Sequence, residues 1–162
     1  MEKWATGIFT SIHGGLGAGL GAVRGLGVST VHLHAPSVEY RTPARTAEIK
    51  AQFGEAGVTI TVLYVAFPDD DYSTVERVVQ SVGLVPRDRR RARLKETLEL
   101  ADMAAALGVD AIGMHLGFVP HDASSRDFGD VVATARAVCD HCAGNGQRFH
   151  LETGQETAAE LL

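Results

Sequence analysis

Short apolar runs alternate with amphipathic stretches along the chain. The apolar runs predict five strands, at Gly7–His13, Val28–His34, Val58–Phe67, Asp110–Phe118 and Gln147–Thr153. Val58–Phe67 is almost continuously apolar, which is typical of a strand buried on both faces of a parallel sheet. Between the runs, apolar residues recur every three or four positions, the period of a helix packed on one side.

The amphipathic stretches predict the helices. They fall within Gly14–Gly27 and at Thr42–Gly57, Val75–Val82, Arg93–Leu107, Asp127–Gly144 and Gln155–Leu162. The Val75–Val82 helix interrupts a long connection, Pro68–Arg91. Connections of that length inside one domain often form lids or binding loops.

Strict alternation of strands and helices indicates a parallel sheet with right-handed crossovers. A closed eight-stranded barrel takes about 250 residues, whereas this chain has 162. We therefore predict an α/β fold of the (β/α) TIM-barrel type, incomplete, with about five of the eight βα units and strands in the order 1-2-3-4-5. Residues 1–162 are expected to form one domain that is truncated at its C-terminus. A complete five-stranded open sheet is the alternative.

The last predicted strand carries the clearest candidate for chemistry. In FHLETGQET, Phe149–Thr157, an apolar-leaning run ends on Glu152 and a glycine follows. Alternate residues of a strand face opposite sides, so His150 and Glu152 share one face and Phe149 and Leu151 the other. Glu152 then lies at the carboxyl end of a strand, where α/β folds place their ligands. The alternative is that Glu152 caps the next helix or lies in a solvated loop.

Histidines recur at the same ends of successive strands. His13, His34 and His115 lie at or near the ends of strands one, two and four. One histidine on a strand is usually a satisfied core residue, but several at one edge favour a site. Imidazole and carboxylate groups ligate zinc and similar metals, and they also serve general acid–base catalysis.

Three other patterns are weaker. The tract Gly17–Ala22 fits G-x-G-x-x-A, the dinucleotide fingerprint, but no acidic residue ends the second strand, and close helix–strand packing explains the glycines as well. Cys139 and Cys142 form one C-x-x-C pair near a helix end, which favours buried, inert thiols. The arginines within Arg87–Arg91 are interpreted as the solvated start of a helix, with a phosphate clamp as the alternative.

The composition and charge of the chain argue against some classes of function. Lys plus Arg is 15 and Asp plus Glu is 20, a net charge of −5, which does not suggest a nucleic-acid or anionic-membrane surface. No apolar run has the length of a membrane span. With two cysteines and no signal-peptide pattern, the chain is expected to be cytoplasmic.

Four segments carry a resemblance to a known family: GIFTSIHGGLG, VHLHAP, LGVDAIGMHLGFVPHD and, most specifically, GNGQRFHLETGQET. Together they resemble the sugar phosphate isomerase/epimerase family, the xylose-isomerase-like barrels that include endonuclease IV. The resemblance covers nearly the whole chain. It implies that Glu152 is a divalent-metal ligand and a catalytic acid or base. It also implies that His115, His13, His34 and Glu156 contact the substrate.

The resemblance implies a metal-dependent sugar or sugar phosphate isomerase or epimerase, with this chain as its N-terminal part. The family completes its metal site from strands six to eight, which lie outside these residues. The complete enzyme is expected to use manganese, magnesium, cobalt or zinc, whereas this chain is expected to bind metal weakly or not at all and to be inactive alone. The rival hypothesis is a non-catalytic or partner-binding domain that assembles with the missing strands. Expected partners are a sugar substrate and, through open sheet edges, other copies of the chain.

Overall fold

A computed structural model of the chain describes residues 6–12, 16–152, 154 and 156–158. Its centre is a five-stranded sheet in the order β1-β2-β3-β4-β5, in which every neighbouring pair is parallel. The strands are β1 (Gly7–Thr10), β2 (Thr30–His34), β3 (Thr59–Tyr64), β4 (Ala111–His115) and β5 (Arg148–Glu152). The prediction of a sequential parallel sheet is confirmed, and the strands are shorter than the apolar runs that predicted them.

Helices lie between the strands. They are α1 (Leu20–Gly25), α2 (Pro43–Glu55), α3 (Val75–Ser81), α4 (Arg87–Leu107) and α5 (Arg126–Gly144), with a 3-10 helix at Val38–Tyr40. Hydroxyl caps fix three of the starts, because Thr42, Thr74 and Ser125 accept backbone N–H bonds from the first turns of α2, α3 and α5. The predicted helix at Gln155–Leu162 lies largely outside the described residues.

The register of the strands separates an apolar face from a polar one. Leu33 pairs with Leu63, Leu63 with Ile112, and Ile112 with Phe149. The first three of these are fully buried and belong to the core that the sheet forms with its helices. Because side chains alternate, the residues between them face the opposite, inner side of the sheet.

Gly17, in the glycine tract after β1, allows a close approach to that strand. Gly17 adopts φ 99, a conformation that glycine tolerates best, and a Cβ there would lie 2.5 Å from the carbonyl carbon of Phe9. The next residue, Ala18, exchanges backbone hydrogen bonds with β1. Close packing therefore explains Gly17, whereas a Cβ on Gly19 or Gly21 would meet no atom within 4 Å, so packing does not explain these two glycines. His13 lies outside the described residues.

A buried arginine near the start of α4 organises the long connection after β3. Arg93 forms an ion pair with Asp70 (Nη1 to Oδ1, 3.1 Å) and donates to the carbonyl oxygen of Gly83 (2.7 Å). Its guanidinium carbon lies 4.4 Å from the ring centroid of Phe67. Burial raises the pKa of the Asp70 carboxyl, and Arg93 opposes that shift. The ion pair thus offsets part of the cost of burying this carboxylate.

The arginine cluster differs from its predicted role. α4 begins at Arg87, six residues before the predicted start, and Arg90 is buried, whereas Arg91 is exposed. Arg90 donates to the carbonyl oxygens of Leu84 (2.9 Å) and Val85. The prediction of a solvated cluster is therefore wrong for Arg90, because its donors satisfy carbonyls of the turn that leads into α4.

The cysteine pair is split between two environments. Cys142 is fully buried on α5, and burial raises the pKa of its thiol to about 11. Cys139 is exposed, so the prediction of two buried thiols is wrong for this residue. Among the described helices, none combines the length and apolar character that crossing a bilayer requires.

We predict that Arg93→Met destabilises the fold by about 3–5 kcal/mol, because it leaves the Asp70 carboxylate buried without its cation. Urea denaturation followed by circular dichroism measures the loss. Arg91→Met, on the exposed side of the same helix, is the matched control and is expected to change stability by less than about 0.5 kcal/mol. Equal effects of the two substitutions would contradict this account.

Candidate functional site

Glu152 is the last residue of β5 and lies on the inner face of the sheet. Its register partner on β4 is His115, also the last residue of its strand. The Tyr64 hydroxyl, at the end of β3, donates a hydrogen bond to Oε2 of Glu152. Three neighbouring strands therefore place polar groups at one edge of the sheet, its carboxyl end.

The inner face is lined by aromatic and imidazole side chains. Register places Phe9 beside His32, His34 beside Tyr64, and Gly113 beside His150. A shift in the pairing of β2 with β3 falls between Val31 and His32, and beyond it His34 and Tyr64 are aligned. This irregularity determines which residues stand next to each other at the carboxyl end.

Tyr64 is fixed by packing as well as by its hydrogen bond. Its ring meets Phe9 edge to face, with centroids 5.0 Å apart and an interplanar angle of 87°. Burial and then the bond to Glu152 raise the pKa of the Tyr64 phenol. The hydroxyl therefore keeps its proton and serves as a hydrogen-bond donor.

His115 is a buried imidazole with an unsatisfied nitrogen. The residue is 8% exposed, and within the described part of the chain its buried Nδ1 has no hydrogen-bond partner. The ring of Tyr72 lies edge-on to it, with centroids 5.8 Å apart. Because a buried polar atom is usually paired, this nitrogen is an exception among the buried groups of the described residues.

The loop after β5 comes close to the His115 imidazole. A Cβ built on Gly154 would collide with Nε2 of His115 and stand 3.1 Å from the two adjacent ring carbons. The backbone N–H of Gly154 donates to Oε2 of Glu156 (2.8 Å). The loop can lie against His115 only because position 154 has no side chain.

A second imidazole lies deeper on the same face. The pKa of His32 is lowered, first by burial and then by the neighbouring His150, while Glu152 opposes the shift. Neutral imidazole is therefore the favoured form of His32 near neutral pH. His150 is exposed at the edge strand. Neither residue was among the predicted site residues, although period-two alternation placed both on the face that carries Glu152.

Three of the predicted site residues lie on the inner face of the sheet, and a fourth lies in the loop after β5. Glu152, His115 and His34 lie at the carboxyl ends of β5, β4 and β2, on the inner face. Glu156 lies in the loop after β5 and lines a groove beside α5. The prediction for His13 falls outside the described residues.

Sequence reasoning missed the tyrosines. Tyr64 binds Glu152 directly, and Tyr72 contacts the ring of His115. The alternation of strand three already placed Tyr64 at the carboxyl end, which was a usable signal. Tyr72 comes from the long connection, and no pattern in that segment predicted its position.

An apolar groove lies between α5 and the edge strand β5. Its volume is about 660 Å³, and its walls include Val132 and Ala135 of α5 and Leu151 of β5. Leu151 is 53% exposed, although the neighbouring core residue on β4, Met114, is 1% exposed. The difference arises because helices cover the outer faces of the central strands, whereas the outer face of β5 is partly open.

The described residues do not fit a complete metal site. Glu152 offers a carboxylate, but in residues 6–12, 16–152, 154 and 156–158 no group of three His, Cys, Asp or Glu side chains is arranged to hold an ion. Tight sites for divalent metals use three or more ligands. The described residues therefore do not by themselves form such a site.

A sequential parallel sheet with polar groups at the carboxyl ends of its strands defines a protein of the (β/α)-barrel class. The model of the xylose isomerase-like TIM barrel family matches residues 20–161. The chain therefore belongs to the xylose isomerase-like TIM barrel family. No curated protein matches the chain.

Solved structures share this architecture. A xylose isomerase domain protein from Planctomyces limnophilus is 39% identical, with a TM-score of 0.94, over 98% of this chain and 56% of that one. A D-psicose 3-epimerase with D-tagatose, from Clostridium cellulolyticum H10, is 22% identical, with a TM-score of 0.60, over 83% of this chain and 45% of its own. A D-psicose 3-epimerase determined in the presence of D-fructose is 17% identical, with a TM-score of 0.62, over 91% of this chain and 51% of its own. The two epimerases show the fold alone, and the chain spans about half the length of these proteins.

We predict that Gly154→Ala destabilises the protein by about 1–3 kcal/mol, because the added methyl group collides with the His115 ring. Thermal unfolding measures the loss. His115→Ala should relieve the collision, so the Gly154→Ala penalty should shrink in that background. Gly129→Ala, on α5 with open space around it, is the control and should be neutral or slightly stabilising. If Gly154→Ala lowers stability by the same amount when His115 is alanine, the collision with the His115 ring is not the cause.

Proposed function

We propose that the chain carries part of the active site of a sugar or sugar phosphate isomerase or epimerase. The family to which it belongs includes structural neighbours named as sugar epimerases. The observation that carries the proposal is the Glu152 carboxylate, held by Tyr64 at the carboxyl end of β5 beside His115. In barrels of this class, active sites lie at that end of the strands.

The proposed chemistry is proton transfer at a carbon next to a carbonyl group. The Glu152 carboxylate takes the proton, and the bonding electrons move into the carbonyl to give an enediolate. Protonation of the opposite face of the same carbon by a second acid, supplied from outside the described residues, gives the epimer. Return of the proton by Glu152 to the former carbonyl carbon, with transfer of the hydroxyl proton between the two substrate oxygens, gives the isomer. A positioned carboxylate typically contributes about 10²–10⁴-fold to such a step.

His115 is the proposed partner of Glu152 in substrate binding. It stands beside Glu152 at the carboxyl end of β4, and an imidazole can donate to or accept from a sugar oxygen, depending on the tautomer. His34 lies two strands away on the same face, and His13 and Glu156 complete the predicted set of substrate contacts. Tyr72 packs against the His115 ring, which helps to fix the imidazole beside Glu152.

A divalent metal belongs to the proposal only for the complete active site. Manganese, magnesium, cobalt or zinc would be held by Glu152 together with ligands outside the described residues. When bound, such an ion would polarise the oxygens of the substrate. His115 would orient the sugar, and Glu152 would move its proton.

The test uses residues 1–162 joined to the part of the Planctomyces limnophilus protein that they do not span. Glu152→Gln is expected to lower turnover about 10²–10⁴-fold, because the amide cannot accept the proton. Exchange of solvent deuterium into D-fructose and D-tagatose, followed by NMR, measures turnover. Glu99→Gln, on the exposed side of α4, is the control and should leave the rate unchanged. A rate indifferent to Glu152→Gln would remove the carboxylate from the mechanism.

The exposed edge favours a second candidate, a non-catalytic domain that assembles with other polypeptide. Among the described residues, β5 pairs only with β4, and the apolar groove beside Leu151 opens next to that edge. An unpaired strand edge next to an apolar surface is a template for strand addition. The partner would supply a strand that pairs with β5 and an amphipathic helix that fills the groove.

We predict that the chain of 162 residues self-associates through this surface. Leu151→Lys is expected to raise the monomer fraction in sedimentation velocity, because it places a charge in the apolar groove. Val38→Lys, on the exposed 3-10 helix, is the matched control and should have no effect. A monodisperse monomer of the unmodified chain would count against this candidate.

A further inference from the structure

The bond between Tyr64 and Glu152 spans the sheet. The two residues stand on β3 and β5, with β4 between them. Neighbouring strands are about 4.8 Å apart, so the backbones that carry the two side chains are about 10 Å apart. Both side chains must extend toward each other over β4.

Gly113 places no side chain on the inner face of β4 next to Tyr64. It is the register neighbour of Tyr64 on one side and of His150 on the other. A Cβ at this position would stand 3.1 Å from Cγ1 of Val62 and 3.7 Å from Cβ of His150. On β4, the strand that the hydrogen bond crosses, the position next to Tyr64 therefore has no side chain, and the position next to Glu152 is His115.

The two side chains that this hydrogen bond joins differ in how firmly their surroundings hold them. Tyr64 is buried, and its ring is held edge-on by Phe9. Glu152 is exposed on an edge strand, where a long side chain samples several rotamers. The hydrogen bond from the rigid Tyr64 phenol therefore restricts the Glu152 carboxylate, which the backbone of β5 alone would leave free to change rotamer.

We infer that Tyr64 is a positioning residue, which fixes the Glu152 carboxylate by binding Oε2 and directs Oε1 to the ligand. The inference rests on the proposed function of Glu152 and adds to it a residue on another strand. A carboxylate has two oxygens with about four lone-pair sites, so one donor leaves capacity for a ligand. Fixing the group before the sugar arrives lowers the entropy lost on binding.

A double-mutant cycle tests this role in residues 1–162 joined to the part of the Planctomyces limnophilus protein that they do not span, the same protein that tests the proposed function. D-Fructose is the probe, and its affinity is measured by NMR titration for this joined protein without substitutions (the unmodified chain), Tyr64→Phe, Glu152→Ala and the double variant. One hydrogen bond is worth about 1 kcal/mol, so Tyr64→Phe should weaken binding about fivefold. If Tyr64 acts through Glu152, the double variant should bind no more weakly than Glu152→Ala alone.

Two controls separate positioning from a structural effect. Tyr64→Phe keeps the ring that packs on Phe9, so its thermal unfolding and circular dichroism should match those of the parent. Tyr40→Phe, on the 3-10 helix, should leave affinity unchanged. In the unmodified chain, the Tyr64 hydroxyl proton should give a slowly exchanging NMR signal that disappears in Glu152→Ala. The absence of that signal from the unmodified chain would overturn the inference whatever the variants do.

The outcomes distinguish this inference from the proposed function. If Glu152→Ala weakens binding but Tyr64→Phe does not, or if the two losses add, Tyr64 does not act through Glu152 and only the inference is overturned. If the unmodified chain fails to bind D-fructose, or Glu152→Ala binds it as tightly, the proposed role of Glu152 is overturned and the role of Tyr64 with it.

Discussion

The parallel register of the five strands is the constraint on which both the core and the site depend. Because side chains alternate along each strand, one alignment sends Leu33, Leu63 and Ile112 to the helices. The same alignment sends Tyr64 and Glu152 to the inner face. A slip of one residue would exchange the two sets, placing carboxylate in the core and leucine at the site.

Polar contacts between segments far apart in the sequence then fix the positions of side chains that the strand register has brought together. Arg93 joins α4 to the connection after β3, from which Tyr72 reaches the His115 ring. Tyr64 joins β3 to the edge strand that carries Glu152. Each link uses a buried, well-packed residue to hold a group that would otherwise move, and this is the kind of support that a precise site requires.

The open side of the sheet connects the fold with the two candidate functions. The groove beside Leu151 and the edge of β5 lie next to Glu152, so polypeptide that covered this surface would also border the site. An isomerase needs such a wall to exclude water, and an assembly domain needs the same surface to bind its partner. The two functions therefore share one surface and differ in whether Glu152 takes part in chemistry.

The sequence by itself determined the five strands, their sequential order, and the strand-five glutamate on the inner face. These follow from local periods of two and of about 3.6 residues, which the chain carries without reference to its fold. Only the tertiary structure decided that Tyr64 binds a glutamate 88 residues away and that Arg90 is buried. Such partners meet only after the strands have aligned and the helices have packed, so no pattern within one segment specifies them.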